Sequence, residues 1–483
     1  MTTRCTCAFR DRIALKSSAL LAPTAPFLPR LTTVLLTATL SLAASQALAG
    51  GQGGAGTQAG GEGGGWINQG NGANTDPNDG RATVSDLSAN TVREFTTIIH
   101  GGVGGTAPTG GGGGGGAAAY FGGTNATVTV RSNLLGGSGW IGYSPAEGGG
   151  GGGDGLIVKD GTVKVAATGQ VIGGDATYSM GGSGGGGGTG LYLGTGVVQN
   201  DGLIVGGVGG YNDGPAPSGI ALGGDGGAGV ITRNGRVVNL GRIEGGAGGT
   251  SMTPASNAGN GGEGVIITEG SNSHQPPGAG NRLPDLDNQG HIRGGNAVNN
   301  LNYPDLYLAG SAGTGVLAEN NVYILNRGTI AGGIDGNGEQ GPAIALLGNG
   351  NRLELTNSSQ TIGSVSSFGH NTLALNSPDG KPATATITGN LFLSPTSTYE
   401  VRATPSDADR LTVNGKAKLG GTVSVLAGSG TYAASTRYTI LSAQSLSGSF
   451  ASATSNLAFL TPTVANEGND VVLTLALRQA PKP

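Results

Sequence analysis

The sequence is poor in cysteine, aromatic residues and charge, and each shortage excludes a class of function. Its two cysteines, Cys5 and Cys7, both lie near the amino terminus. Aromatic residues make up 4% of the chain and charged residues 11%. The rest of the chain therefore cannot form disulfides, thiolate metal sites or a cysteine nucleophile, and it has few rings to line a sugar-binding groove.

Long hydrophobic runs are also absent. The apolar stretch 31–42 is interrupted by threonines and is shorter than the ~20 residues that a membrane-spanning helix needs. It follows a positively charged start and precedes Ala47-Leu48-Ala49, which is the order of a secretory signal peptide. The sequence therefore predicts export, with a signal peptide at 1–49 and cleavage before Gly50.

Positive charge is scarce once the signal peptide is removed. Residues 1–49 hold five of the 25 Lys and Arg and one of the 29 Asp and Glu, which leaves 20 against 28 and a net charge of −8. Phosphate recognition needs clustered Lys and Arg. The charge balance argues against nucleic acid as a partner, so none is predicted.

Glycine is abundant and unevenly distributed. All 101 glycines follow residue 49, and only seven of them lie beyond residue 389. Glycine does not recur at every third position along the whole chain, which excludes collagen. The predicted organisation is a glycine-rich segment at 50–90, repeats at 91–389, a C-terminal module at 390–477 and a linker stub at 478–483.

A short pattern recurs between the glycines: Gly, any residue, an apolar residue, any residue, then Gly-Gly. In the last four copies an asparagine lies two residues before the first glycine. Further apolar strands precede each copy, such as Val230-Ile231-Thr232. Short strands separated by Gly, Asn and Asp turns are typical of a β-solenoid coil. The copies begin at Gly169, Gly202, Gly241, Gly290 and Gly328.

We therefore predict an all-β fold, a right-handed parallel β-helix in which the apolar residues stack inside and the asparagines occupy turns or form a ladder. Glycine-rich inserts of variable length would loop out from one corner of the coil. The runs 110–116, 148–153 and 184–188 are the extreme cases. We expect them to be mobile; the alternative is that they pack as polyglycine sheets.

Residues 390–477 carry several motifs in a fixed order. They include Tyr399-Glu400-Val401, Asp409-Arg410-Leu411-Thr412-Val413, Leu419-Gly420-Gly421, Tyr438-Thr439-Ile440-Leu441 and Leu457-Ala458-Phe459-Leu460. This order resembles the C-terminal end of autotransporter passenger regions. The resemblance implies a stable β-helical cap module that folds early and assists export. It also implies an outer-membrane translocator barrel as partner, which is missing from this chain.

Candidate active sites are few. No two of the four histidines, His100, His274, His291 and His370, have the close spacing of a zinc site. His291 occupies a position held by Arg242 and Thr329 in other copies, which predicts an exposed strand residue. No serine lies in a nucleophile elbow. We therefore predict no catalytic, cofactor-binding or metal-binding residue.

Two acidic features need separate consideration. Asp407 and Asp409 form a close pair, which we expect to be structural, on one strand beside Arg410 as an ion partner. Residues 149–157 fit the nonapeptide of calcium-binding β-rolls. A calcium site shared between turns needs adjacent copies of this nonapeptide, and the chain has a single one.

The predicted function is non-enzymatic: an exported autotransporter passenger, exposed at the cell surface or secreted after periplasmic transit. It would act in adhesion to a host or bacterial surface ligand. The alternatives are a carbohydrate-active β-helix enzyme and an inactive truncated remnant.

Overall fold

The computed structural model describes residues 82–105, 112–141, 148–212, 222–252, 257–271, 282–299 and 309–478, all within the unit Ala44–Pro483. The predicted signal peptide at 1–49, residues 50–81 and residues 479–483 of the predicted linker stub lie outside the described residues. Every regular element of the described ranges is a strand. No helix in them is long and apolar enough to cross a membrane.

The strands are short and follow one another closely along the chain. In order they are β1 (Val84–Asp86), β2 (Val92–Phe95), β3 (Ile99–His100), β4 (Ala119–Phe121), β5 (Ala126–Val130), β6 (Asn133–Leu135), β7 (Leu156–Val165), β8 (Gln170–Ile172), β9 (Leu191–Asn200), β10 (Leu203–Val205), β11 (Val230–Asn239), β12 (Arg242–Glu244), β13 (Val265–Glu269), β14 (Leu286–Asn288), β15 (His291–Arg293), β16 (Val316–Asn320), β17 (Tyr323–Asn326), β18 (Thr329–Ala331), β19 (Pro342–Leu346), β20 (Arg352–Thr356), β21 (Gln360–Ile362), β22 (Ser364–Ser367), β23 (Thr372–Asn376), β24 (Thr384–Ile387), β25 (Leu391–Leu393), β26 (Thr398–Ala403), β27 (Arg410–Leu419), β28 (Thr422–Ala427), β29 (Ser435–Gly448), β30 (Ser452–Ser455), β31 (Leu460–Glu467) and β32 (Asp470–Leu477).

Successive coils of the chain stack in parallel on three faces. Face 1 begins with β1, β4 and the first half of β7, face 2 with β2, β5 and the second half of β7, and face 3 with β3, β6 and β8. Each strand pairs with the strand one coil away rather than with its neighbour in sequence. This pairing is that of a parallel β-helix, so the predicted fold class is confirmed.

The central apolar residues of the recurring pattern form one column on face 3. They are paired in the order Val171, Ile204, Ile243, Ile292 and Ile330, and all are at most 1% exposed. Strands of neighbouring coils lie about 4.8 Å apart, so these side chains touch along the axis. The predicted alignment of the repeat copies is therefore confirmed.

The predicted asparagine ladder is present at the turn between faces 2 and 3. Asn200, Asn239, Asn288 and Asn326 are all completely buried. The side-chain amide of each of the first three donates to the side-chain oxygen of the next at 2.8, 2.8 and 2.9 Å. A buried amide needs such partners, and stacking identical residues supplies them.

An antiparallel hairpin ends the stack. β32 pairs antiparallel with β31 and with β29, for example Leu473 with Tyr438. The parallel stack runs without interruption through residue 389, since β24 pairs with β27 across it. Because an open parallel edge invites pairing with other chains, the hairpin closes the C-terminal end of the β-helix.

Candidate functional site: the polyglycine fin

Glycine runs continue the strands of face 3 beyond the body of the β-helix. After β10, the amide of Gly206 donates to the carbonyl of Glu244 at 3.0 Å, and that of Gly209 to Ala247 at 2.8 Å. Bonds to the next coil thus recur every third residue, not every second as in a pleated strand. These runs form the first layer: 101–105, 136–141, 173–179, 206–212, 245–251, 294–299 and 332–336.

A second layer is made by the runs that lead back to face 1. Hydrogen bonds cross between the two layers in a zigzag: Gly207 donates to Gly188 at 2.7 Å, Gly227 to Gly207 at 2.8 Å and Gly246 to Gly227 at 2.7 Å. Both layers together are called the polyglycine fin. The second-layer runs are 112–116, 148–154, 184–189, 222–228, 257–263 and 309–314.

The three-residue period identifies the conformation. Within the fin one residue of each triplet bonds along its layer and the next bonds across to the other layer. None of the glycines with a positive φ among the described residues lies in these runs. An extended helix with three residues per turn, of the polyproline II type, has this geometry. The runs 112–116, 148–153 and 184–188 are packed by backbone hydrogen bonds, which is the packed alternative to the expected mobile loops, as threefold helices rather than pleated sheets; residues 110 and 111 of the first run lie outside the described residues.

Glycine is required here for close approach of the backbones. A Cβ at Gly207 would overlap the carbonyl oxygen of Gly174, and a Cβ at Gly188 would overlap that of Gly153. The adjacent Val208, in contrast, points away from the other layer and is 42% exposed. The third residue of each triplet, here called the outer position, is therefore the one that can carry a side chain.

Polar side chains at outer positions satisfy the remaining backbone amides. Asp175 accepts a hydrogen bond from the amide of Val208 at 2.8 Å, and Asn296 accepts one from Ile334 at 2.9 Å. Each acceptor lies one coil before its donor. An amide on the outer side of the fin has no neighbouring run to bond, so a carboxylate or amide oxygen takes that place. These acidic and amide residues therefore have a structural role.

Asp154, the aspartate of the calcium-type nonapeptide, belongs to this class. It is completely buried, and its Oδ1 accepts a hydrogen bond from the amide of Thr189 at 2.8 Å. Burial raises the pKa of this carboxyl to about 8, so it is mostly protonated at neutral pH. Among the described residues no group of three or more His, Cys, Asp and Glu is placed to hold a metal ion.

The outer surface of face 3 and the first layer form one continuous exposed plane. Over its early coils this plane is mainly apolar, although the exposed Ser138 and Asp175 also lie on it: Tyr211 is 39% exposed, and its ring stacks on that of Tyr178 with centroids 5.1 Å apart. Further along the axis the same plane carries the charged Arg242, Glu244 and Arg293. We call its apolar part the flat face, which comprises Leu135, Ile172, Val205, Val208, Tyr178 and Tyr211.

Asp409 has a structural role, but the predicted setting of the acidic pair is wrong in two respects. Asp407 and Asp409 lie in the connection between β26 and β27, not on one strand. The partner of Asp409 is Arg402, whose Nε lies 3.3 Å from Oδ2, whereas Arg410 donates to Ser442. Burial raises the pKa of Asp409, although two backbone amides and Arg402 oppose the shift. The Asp409 carboxyl thus holds the connection between β26 and β27 against the core.

Histidines are dispersed over the described surface. His291 is exposed on β15, as predicted, and His100 is exposed at the end of β3. The ring of His370 lies 3.3 Å from the side-chain oxygen of Asn349. His274 lies outside the described residues. The described histidines do not assemble into a site.

Sequence reasoning missed an ion network on the outer side of face 2. Arg352 contacts Glu354 at 2.6 Å and Glu400 at 2.5 Å, and the hydroxyl of Tyr323 donates to Glu354 at 2.8 Å. Burial, followed by the charge of Glu354, raises the pKa of Tyr323. The pattern Arg-x-Glu on a strand places both charges on one side, and that signal could have predicted the first pair. Glu400, two coils away, has no such signal.

The network resembles an enzyme site only superficially. Burial alone would lower the pKa of Arg352, but the hydrogen bonds and negative charges of Glu400 and Glu354 raise it by more. The pKa of Arg352 is therefore raised overall. Both carboxylates are paired with the same guanidinium. Glycoside hydrolysis needs one carboxyl that can give a proton to the leaving oxygen, and a carboxylate held by arginine is a poor proton donor.

No protein-family model matches the chain, and neither does any curated protein.

Proposed function

We propose that this chain is an exported passenger of the autotransporter type that acts as a non-enzymatic adhesion or interaction protein through its flat face. The flat face is the observation that carries the proposal. It exposes Val208 by 42% and Tyr211 by 39% on the fin. A patch of exposed apolar side chains bordered by polar ones is typical of interaction sites.

The backbone under the flat face supports this assignment. Each run of the first layer bonds to its neighbours along the layer and across it, as Gly206 and Gly207 do. Side chains at outer positions therefore stand on a support that is already ordered before binding. Less ordering of the backbone on association leaves more of the contact energy available for affinity.

The export part of the proposal rests on the signal-peptide pattern and on the order of motifs in 390–477. An experiment that fuses the chain to an outer-membrane translocator barrel tests it separately from adhesion. Added protease should digest the β-helix on intact cells. Retention in the periplasm would contradict the passenger assignment.

Adhesion is tested with the purified chain coupled to beads and applied to bacterial and host cell surfaces. Val208→Asp and Tyr211→Asp should each reduce bead binding at least fivefold. Leu426→Asp is the matched control, because Leu426 is 39% exposed on β28, away from the flat face. Equal binding by all variants would contradict the assignment of the flat face.

The enzymatic alternative makes a different prediction. If the ion network were a hydrolytic site, the chain would release reducing ends from polysaccharides, and Glu354→Gln would abolish that release. The non-enzymatic proposal expects no release by either protein. Release of reducing ends that depends on Glu354 would contradict the adhesion proposal and support the enzymatic alternative.

A further inference from the structure

The second layer of the fin has an outer surface of two kinds. In the runs 222–228, 257–263 and 309–314 the outer positions hold Asp225, Asn260 and Ser311. In the earlier runs the equivalent positions are Gly114, Gly151 and Gly186. The equivalence follows from the ladder, in which Gly115 donates to Gly151, Gly152 to Gly186, Gly187 to Asp225 and Gly226 to Asn260. The glycine face is defined as Gly114, Gly151 and Gly186.

Hydrogen bonding distinguishes the two kinds of surface. The amide of Asn260 donates to the side chain of Asp225 at 2.7 Å, and the amide of Ser311 donates to Asn260 at 2.8 Å. On the glycine face, the residue one coil earlier has no side chain to accept such a bond. Backbone amides that are removed from water need an acceptor. The glycine face therefore calls for carbonyl groups from another source.

The burial of the outer positions also distinguishes the two kinds of surface. Gly114 and Gly151 are buried and Gly186 is half-buried, whereas Asp225 is exposed and Asn260 and Ser311 are half-buried. Glycine at an outer position leaves no side chain between this layer and a backbone laid against it. The contacts between the first and second layers show what such an arrangement requires: glycine on both sides, since a Cβ at Gly206 would overlap the carbonyl of Gly227 and a Cβ at Gly187 would overlap that of Gly207.

We propose that the glycine face binds a third Gly-Gly-x strand, and that this strand is the segment 50–65 of the same chain. The segment contains Gly50-Gly51-Gln52-Gly53-Gly54-Ala55 and later Gly60-Gly61-Glu62. The period of the fin is kept over Gly50–Ala55 and is shifted by one residue in Gly60-Gly61-Glu62, so the carbonyls of each stretch can point to the glycine face once per turn.

The position of the chain allows this docking. Ala82 packs with Ala117 and Tyr120, and the amide of Thr83 donates to the carbonyl of Ala117 at 3.1 Å. Ala117 follows Gly114 by one turn of the run, so the chain enters the β-helix at the base of the glycine face. The sixteen residues 66–81 can span roughly 50 Å, and a five-residue run of the fin is only about 16 Å long.

Hydrogen exchange of the full chain, followed by mass spectrometry, tests the proposal. Amides in 50–65 should be protected in the wild type. Gly151→Asn should make them exchange at least tenfold faster, because it puts a side chain on the glycine face and itself supplies an acceptor to Gly186. The equivalent Asn260 shows that the layer accommodates asparagine. Ser138→Asn, at an exposed outer position of the first layer, is the matched control and should leave protection unchanged.

Folding of the variants is read from the same data, since peptides of 390–477 must keep wild-type exchange. Rapid exchange of 50–65 in the wild type would overturn the proposal, as would protection that Gly151→Asn leaves intact. Protection that appears only at concentrations where the chain dimerises would assign the glycine face to a second copy, and would overturn the intrachain assignment.

Discussion

The side-chain amide of Asn200 donates to the side-chain oxygen of Asn239 at 2.8 Å, with both residues completely buried. Asn239 in turn donates to Asn288, so one residue is both acceptor and donor in the ladder. The ladder fixes the register of successive coils at the turn before face 3. That register determines where each glycine run leaves the body and which neighbours it meets in the fin.

Replacing a central member of the ladder should be costly. Asn239→Ala leaves the amide of Asn200 and the oxygen of Asn288 without their ladder partner. Each buried polar group left unpaired costs about 1–3 kcal/mol, so we expect a loss of about 2–4 kcal/mol in the free energy of unfolding. Denaturant titration measures it. Gln170→Ala, at a half-exposed position of β8, is the control and should change stability by less than about 0.5 kcal/mol.

The alternation of face 3 predicts a contrast between neighbours. Ile330 is completely buried, whereas Thr329 beside it is half-buried and faces outward. Ile330→Asp should cost several kcal/mol because it buries a carboxyl among aliphatic side chains. Thr329→Asp should cost within about 0.5 kcal/mol. Equal shifts of the two denaturation midpoints would contradict the assigned alternation.

Adjacent positions of the fin should also differ sharply. Gly207→Ala places a Cβ against the carbonyl oxygen of Gly174 in the preceding coil of the same layer and 2.9 Å from the amide nitrogen of Gly188 in the second layer, so these runs must separate locally. We expect a loss of more than about 3 kcal/mol, since backbone atoms cannot move aside as a side chain can. Val208→Ala removes only exposed surface and should be nearly neutral. Limited proteolysis within 184–212 should detect opening of the layers in the first variant alone.

Asp154 predicts a dependence of stability on pH. Its pKa is raised from the ordinary value of 3.8 to about 8 by burial, so the folded chain holds this proton where the unfolded chain releases it. Stability from this group is therefore greatest below pH ~4 and falls as pH rises towards ~8. Asp154→Asn keeps an acceptor for Thr189 and should make the decline smaller; burial also raises the pKa of Glu263 to about 7, which accounts for part of the decline that remains. Denaturation midpoints at pH 5 and pH 8 measure it; an identical decline in the variant would contradict the assignment.

The β-helix could be predicted from sequence because its signals reside in side chains. Ile204 and Ile243 recur in equivalent settings, and asparagines recur at a fixed distance before them. The fin could not be predicted with the same security. Its contacts are between backbones, and the period in 206–212 is compatible with both a mobile loop and a packed helix. The choice depends on neighbouring runs that only the stack of coils brings together.

Ion pairs between residues that are not adjacent in sequence also could not be predicted from the sequence. Asp409 was expected to pair with the adjacent Arg410, but Arg402 reaches it across the turn between β26 and β27. The Arg352–Glu400 contact joins residues two coils apart. Neither separation follows from the repeat pattern, because it depends on the lengths of the connections. Charged pairs in a solenoid are therefore less predictable than its apolar columns.

Hydrogen exchange of the runs 184–189 and 206–212 tests the central claim most directly. If these runs are layered helices bonded along and across the fin, most of their amides should exchange as slowly as those of β9 and β10. Peptides from both regions can be compared in one experiment on the wild-type chain. Exchange of the glycine runs at the rate of an unstructured peptide, with β9 and β10 still protected, would contradict the polyglycine fin.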